Sequence, residues 1–98
     1  MVLTCGVDCQ DDRLEAEVVG WGLGEECWGI EYKTIYGSIT NPATWSQLEQ
    51  WITQPWEHES GVHLRVASAM IDTGYQSKIV YDFCKPREVN RFFAIKGV

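Results

Sequence analysis

Two aspartates each follow directly on a run of apolar, strand-like residues. Asp8 comes after Val7 in the segment LTCGVDCQDD, and Asp72 comes after Ile71 in the segment RVASAMIDTG. If the two strands are parallel neighbours, both carboxylates emerge at the same edge of the sheet. Two carboxylates held together there can bind divalent cations for phosphoryl chemistry. Each aspartate taken alone is better explained as the start of a turn, so it is the pair that predicts a metal site.

The composition is that of one small folded domain. The chain has 98 residues, of which 45% are hydrophobic and five are tryptophans, enough to form a core. We expect the tryptophans to serve mainly in the core and against helices, since no basic patch surrounds them. No apolar run has the length of a membrane span, and no basic-then-apolar leader opens the chain. These features predict a soluble, cytoplasmic protein.

The charge distribution bears on nucleic-acid partners. A formal net charge of −6 disfavours a protein that merely coats DNA, because phosphate contacts need lysine and arginine. Much of the acidity lies between residues 8 and 17, where it would repel phosphate unless metal ions neutralised it. The basic residues concentrate between residues 78 and 96. The charge pattern therefore argues more strongly against a DNA-coating protein than against a metal-dependent nuclease.

The four cysteines have no CxxC spacing. A zinc site that recruits His58 and His63 is an alternative, but the ligand spacing of zinc knuckles is missing. Free, partly buried thiols in a reducing compartment are the favoured interpretation.

The order of elements follows from hydrophobic periodicity. Alternating or short apolar runs predict three strands, at 2–7, 14–21 and 28–36, joined by turns short enough for an antiparallel meander. The period then becomes helical over 42–53, with Thr40 or Asn41 as the cap and Pro42 in the first turn.

The second half is predicted from the same signals. Residues 56–63 form a polar loop, 64–71 a fourth strand, and 91–95 a fifth strand. Gly74 and its polar neighbours open a second helix, which Lys85-Pro86 closes. The order β-β-β-α-β-α-β is the plan of a ribonuclease H-like mixed sheet, an α/β fold in which the first and fourth strands are parallel neighbours. Their tips would lie about 5 Å apart.

At this point the residues resemble a known family. The pattern GVDxQxDRLExxVxGWGxGEExW over residues 6–28, followed by IDTG, VYDFC and FFAIKG, resembles the nuclease domain of phage terminase large subunits of the GpA (lambda-like) type. The resemblance covers essentially the whole chain. It implies a metal-dependent endonuclease, a hydrolase that cuts concatemeric double-stranded DNA during genome packaging in the host cytoplasm. It also implies the terminase small subunit and the portal protein as partners.

The resemblance assigns roles to particular positions. Asp8 matches the first catalytic carboxylate and Asp72 the second, and the family's third acidic residue is expected beyond Val98. The packaging ATPase of the family is not represented, since no GxxxxGK[ST] motif occurs here. The chain is therefore expected to be part of a longer protein, with residues 1–98 as a C-terminally truncated part of the nuclease domain.

The expected cofactors are two Mg²⁺ or Mn²⁺ ions about 3.5–4 Å apart. Asp8, which caps the central strand, would bridge them, and Asp72 would bind one.

Three further residues are candidate substrate contacts. Gln10 could orient a phosphate or a water, Gly74 could let the DNA backbone approach a helix N-terminus, and Lys96 could meet a phosphate. A turn residue, a turn glycine and a solvated lysine are the respective alternatives. Asp12 could reach the metals, but a solvated turn residue is the favoured interpretation.

Two other functions remain open at this stage. Another ribonuclease H-like nuclease, such as a resolvase or exonuclease, shares the carboxylate pair but not the long match over residues 6–28. A catalytically incomplete fragment, such as a prophage remnant, could act as a structural or interaction module.

Overall fold

The computed structural model describes residues 2–22, 27–57, 61, 63–72 and 77–95, with the side chains of Cys27 and Ser77 excepted. Within these residues the chain forms seven strands, two α-helices and a 3₁₀ helix. In chain order they are β1 (Val2–Cys9), β2 (Arg13–Trp21), β3 (Cys27–Tyr36), α1 (Pro42–Thr53), β4 (Trp56–Glu57), β5 (His63–Leu64), β6 (Val66–Asp72), α2 (Ser77–Cys84), the 3₁₀ helix (Lys85–Asn90) and β7 (Phe92–Ile95). None of the described helices is long and apolar enough to cross a membrane.

The larger sheet is mixed, and β1 lies at its centre. Among the described strands its order is β3-β2-β1-β6-β7. The first three strands form the predicted antiparallel meander, and β6 and β7 add to it in parallel. The predicted neighbourhood of the first and fourth strands of the plan, now β1 and β6, is therefore confirmed.

The hairpin between β1 and β2 fixes the orientation of β1. The backbone N–H of Gln10 donates to the carbonyl of Arg13 at 2.9 Å, which leaves Asp11 and Asp12 as the two-residue loop. Along β1, Leu3, Cys5, Val7 and Cys9 are buried, and the residues between them are more exposed. This alternation places Asp8 on the exposed side of the strand.

Helix α1 begins where a side chain can satisfy its first free N–H group. The side chain of Asn41 accepts from the Ala43 N–H at 3.0 Å, and Pro42 occupies the first turn. The structure thus selects Asn41, rather than Thr40, as the cap. The helix buries one face that includes Trp45, Leu48 and Ile52.

The second helix is less simple than predicted. Its α-helical part ends at Cys84, just before the predicted stop, but a 3₁₀ helix follows over Lys85–Asn90. Pro86 is tolerated there because it lies in the first turn. Arg91 takes a left-handed conformation, with φ +63° and ψ +39°. Its backbone N–H caps the end of the 3₁₀ helix by donating to the carbonyl of Glu88 at 2.9 Å. Strand β7 accordingly begins at Phe92, one residue later than predicted.

The prediction of a polar loop over residues 56–63 was wrong at both ends. Trp56 pairs with Leu64 and Glu57 with His63 in a small antiparallel ladder. The cause is burial of Trp56, whose ring packs edge-on against Trp51 at a centroid distance of 5.3 Å. A large apolar anchor therefore stabilises a pairing that the polar composition of the segment does not predict.

The core lies between one face of the larger sheet and the two helices. It is one cluster of buried side chains, in which Leu14 and Ile71 of the sheet meet Leu48 of α1 and Val80 of α2. We call the opposite side of the sheet the open face. It is defined by Gly6 and Asp8 of β1, Glu15 and Glu17 of β2, Tyr32 of β3, Met70 and Asp72 of β6, and Ile95 of β7, which line one shallow pocket.

An arginine clamps the 3₁₀ helix to α1. Arg87 donates twice to the Glu49 carboxylate, from Nε at 2.9 Å and from Nη2 at 3.1 Å. Its guanidinium also lies 4.2 Å from the centroid of the Phe83 ring. The pair is bidentate and stacked, a geometry that arginine provides and lysine does not.

Candidate metal site

The register between β1 and β6 brings the two predicted aspartates together. Val7 pairs with Ile71 in the parallel ladder, so Asp8 and Asp72 are the next residues along neighbouring strands. Side chains alternate along a strand, and both aspartates therefore point to the open face. Both line the pocket there, whose volume is about 400 Å³.

Two glutamates of β2 stand beside this pair. Glu15 lies directly opposite Asp8 in the antiparallel ladder, and Glu17 lies opposite Gly6. Both line the same pocket. Four carboxylates on one side of the sheet produce a negative potential that attracts cations and repels phosphate. Glu15 was not among the residues predicted for the site, although the register of the predicted hairpin would have placed it across from Asp8.

Hydrogen-bond donors hold two of these carboxylates. The Tyr32 hydroxyl donates to Glu15 Oε1 at 2.7 Å, and this bond to a carboxylate raises the pKa of Tyr32 above its ordinary value. The Gln10 side chain donates from Nε2 to Asp8 Oδ2 at 2.9 Å. The structure therefore places Gln10 against a candidate metal ligand. Its predicted contact with a phosphate or water stays a prediction.

Two predicted substrate contacts, Gly74 and Lys96, lie outside the described residues, and their roles stay predictions. Asp12 is described, and its carboxylate accepts from Arg13 at 2.8 Å in the hairpin turn. Its side chain is exposed in that turn, as expected for the solvated turn residue that the sequence favoured over metal binding.

The donor chemistry of the two aspartates suits Mg²⁺ or Mn²⁺. These hard cations prefer carboxylate oxygen, and Mg²⁺ is commonly held by one or two carboxylates together with water and phosphate oxygens. Within residues 2–22, 27–57, 63–72 and 77–95, no group of three or more histidine, cysteine, aspartate or glutamate side chains is arranged to hold a metal. The carboxylate oxygens of Asp8 and Asp72 therefore fit such a cation, and the two residues are its candidate ligands.

The cysteines have the character of core residues. Cys5, Cys9 and Cys84 are free and buried. Burial raises the pKa of the Cys9 thiol to about 12, and the nearby charges of Asp8 and Asp72 act in the same direction. Zinc binds the thiolate, which such a site disfavours.

The fold and the site together define a class: an α/β domain whose mixed sheet brings two carboxylates to the tips of adjacent parallel strands. Comparison with known families identifies the chain further. The model of the family described as terminase large subunit gpA, endonuclease domain, matches residues 1–98, and the chain belongs to this family. The large terminase subunit of Escherichia phage lambda is 34% identical over 96 residues, which cover 97% of this chain. That of Enterobacteria phage P21 is 30% identical over the same length and coverage. The chain spans 15% of the length of each of these relatives.

Two solved structures align with most of this chain at low similarity. One is described as a structural study of the Aquifex aeolicus PPX-GPPA enzyme, with a TM-score of 0.47, 11% identity, and coverage of 97% of this chain and 36% of that one. The other is the type II variant of the Aquifex aeolicus Ppx/GppA phosphatase, with a TM-score of 0.48, 7% identity, and coverage of 98% and 36%.

Proposed function

We propose that this chain supplies the metal-binding part of the endonuclease domain of a phage terminase large subunit. Its reaction would be the cleavage of concatemeric double-stranded DNA during genome packaging, in the cytoplasm of the host cell. The observation that carries the proposal is the parallel pairing of β1 with β6, which sets Asp8 and Asp72 side by side on the open face. The family membership of residues 1–98 supports the same conclusion.

We further propose that the fold is ribonuclease H-like. The support is the combination of an antiparallel meander, β1 at the centre of the sheet, and helix-connected parallel strands. Under this proposal, residues 1–98 are part of the nuclease domain, and the third carboxylate of the site lies downstream of Val98. The packaging ATPase would be a separate domain of the longer protein.

Asp8 and Asp72 are the described residues that would hold two Mg²⁺ or Mn²⁺ ions. Such ions supply an activated water and stabilise the leaving oxygen in phosphodiester hydrolysis. In this proposal Asp8 and Asp72 bind the ions and orient them on the open face. Glu15 and Glu17 add negative charge beside them, which repels phosphate from an ion-free site. Bound cations would neutralise this charge and allow phosphate to approach. DNA binding at this face should therefore depend on the divalent cation.

The partners proposed for the longer protein are double-stranded DNA, the terminase small subunit and the portal protein. The described open face is acidic at the aspartates, so it would not bind DNA by charge alone. Among the basic residues between positions 78 and 96, Lys78 and Arg87 pair with Asp82 and Glu49. Lys85, Arg91 and Lys96 are therefore the better candidates for contacts with the DNA backbone.

Cleavage of supercoiled plasmid tests this function. We expect the 98-residue chain alone to nick poorly, because the described residues supply two aspartates without a third ligand. A longer terminase subunit that contains this segment should cleave with Mg²⁺ or Mn²⁺ and lose cleavage on Asp8→Asn. If that longer protein is inert with both cations, the nuclease assignment fails.

A further inference from the structure

The side chain of Gln10 contacts the carboxylate that the proposed metal site depends on most. Its backbone is fixed by the hairpin, because its N–H donates to the Arg13 carbonyl at 2.9 Å. Its side-chain amide reaches back two residues, and Nε2 donates to Asp8 Oδ2 at 2.9 Å. The backbone bond to Arg13 and the side-chain bond to Asp8 together fix the orientation of the Gln10 amide.

The position of Asp8 makes such a contact useful. Glu15 stands directly across from it on β2, and Asp72 follows Ile71 on the other neighbouring strand. Like charges in adjacent positions of a sheet repel each other, and this repulsion would turn the Asp8 carboxylate away from the pocket. A donor on Oδ2 opposes that rotation and leaves Oδ1 for a cation. Tyr32 holds Glu15 in the same manner, from the far side of the pocket.

We propose that Gln10 is a positioning residue that orients Asp8 for a divalent cation. The inference rests on the proposed function and adds a residue to it: the Gln10 amide donates to Asp8, and Asp8 would bind the ion. Replacing a residue that hydrogen-bonds to a metal ligand, without touching the metal itself, commonly weakens metal affinity ten- to a hundredfold.

The test is Mn²⁺ binding by the 98-residue chain, measured by calorimetry on the wild type, Gln10→Ala and Gln47→Ala. Gln47 is an exposed glutamine on α1, so its replacement removes the same amide at a distance from the site. We expect Gln10→Ala to weaken Mn²⁺ binding by about tenfold, with the midpoint of urea unfolding unchanged, and Gln47→Ala to alter neither. A purely structural role for Gln10 would shift the unfolding midpoint instead.

A second measurement addresses the contact without metal. The side-chain amide protons of Gln10 should shift in the NMR spectrum of Asp8→Ala, because their acceptor is removed. Resonances that do not move would overturn the inference, as would unchanged Mn²⁺ affinity in Gln10→Ala. A wild-type chain that binds no Mn²⁺ would instead contradict the proposed metal site at Asp8 and Asp72, and the inference with it.

Discussion

Replacing Asp8 by asparagine should stabilise the metal-free protein. Asp8 has a carboxylate on each side, Glu15 across the antiparallel ladder and Asp72 beside it on β6. Asparagine removes the charge, keeps the size, and can still accept from Gln10 through its amide oxygen. The gain is therefore expected from relief of repulsion alone.

The size of the gain follows from the register. Neighbouring strands lie about 5 Å apart, and two like charges at that distance repel by about 0.8 kcal/mol in water. Directly opposed like charges in sheets cost on the order of 0.2–1 kcal/mol per pair. Two such neighbours on an exposed side chain give a total of about 1 kcal/mol after screening, which raises Tm by roughly 4–8 °C in a domain of this size.

Thermal unfolding in chelator measures this directly, at low salt and in 1 M NaCl. The gain should shrink at 1 M, where charges are screened over about 3 Å. With Mn²⁺ at a hundred times its Kd, the wild type should gain about 2.7 kcal/mol and become the more stable protein. Glu88→Gln, at an exposed carboxylate on the 3₁₀ helix, is the control and should change little.

If Asp8→Asn lowers Tm in chelator, or raises it by the same amount at both salt concentrations, like-charge repulsion is not what Asp8 experiences. Destabilisation would mean that Asp8 serves the hairpin as a turn residue.

Three further predictions concern the frame that holds the site. Leu48→Ala should lower the free energy of unfolding in urea by about 2–5 kcal/mol, because Leu48 is fully buried; a loss below about 1 kcal/mol would contradict the packing of α1. Arg87→Ala removes two hydrogen bonds to Glu49 and a contact with a ring, and should cost about 1 kcal/mol because the pair is partly exposed; an unchanged urea midpoint would show that the clamp contributes nothing. Burial raises the pKa of the Cys5 and Cys9 thiols from 9.0 to about 12. The stability that these neutral thiols contribute is therefore complete below pH 9 and is lost as the pH rises towards 12. The loss is at most about 1.4 kcal/mol per pH unit for each thiol. Urea midpoints recorded between pH 8 and 11 check this, and midpoints independent of pH would contradict the burial of these thiols.

Much of the fold could be predicted because local patterns and global packing agree. Alternation along residues 14–21 and 28–36 predicted two strands, and Pro42 with Asn41 predicted the start of α1. The second of these strands is more exposed than its alternation suggests, because residues 28–33 are all exposed and Ile35 alone is buried among the described side chains of β3. The parallel pairing of β1 with β6 followed from the crossover through that helix. The ladder of Trp56 with Leu64 could not be predicted, because it depends on a tertiary contact between Trp56 and Trp51.

The residues of the candidate site likewise differ in how far the sequence predicts their contacts. Asp8 and Asp72 were predicted because strand topology alone brings them together. Glu15 follows from the hairpin register. The Tyr32 contact needs the register of a second ladder, in which Tyr32 is opposite Glu17 and therefore diagonal to Glu15. The bond from Gln10 to Asp8 depends on a side-chain rotamer, and a linear pattern carries no information about that.

The most direct test of the account is Mn²⁺ calorimetry on the wild type, Asp8→Asn and Asp72→Asn. If the two carboxylates serve one site, the wild type should give a saturable heat of binding, and each single replacement should abolish it. Wild-type affinity retained in either variant would contradict the claim that β1 and β6 deliver their aspartates to a common ion.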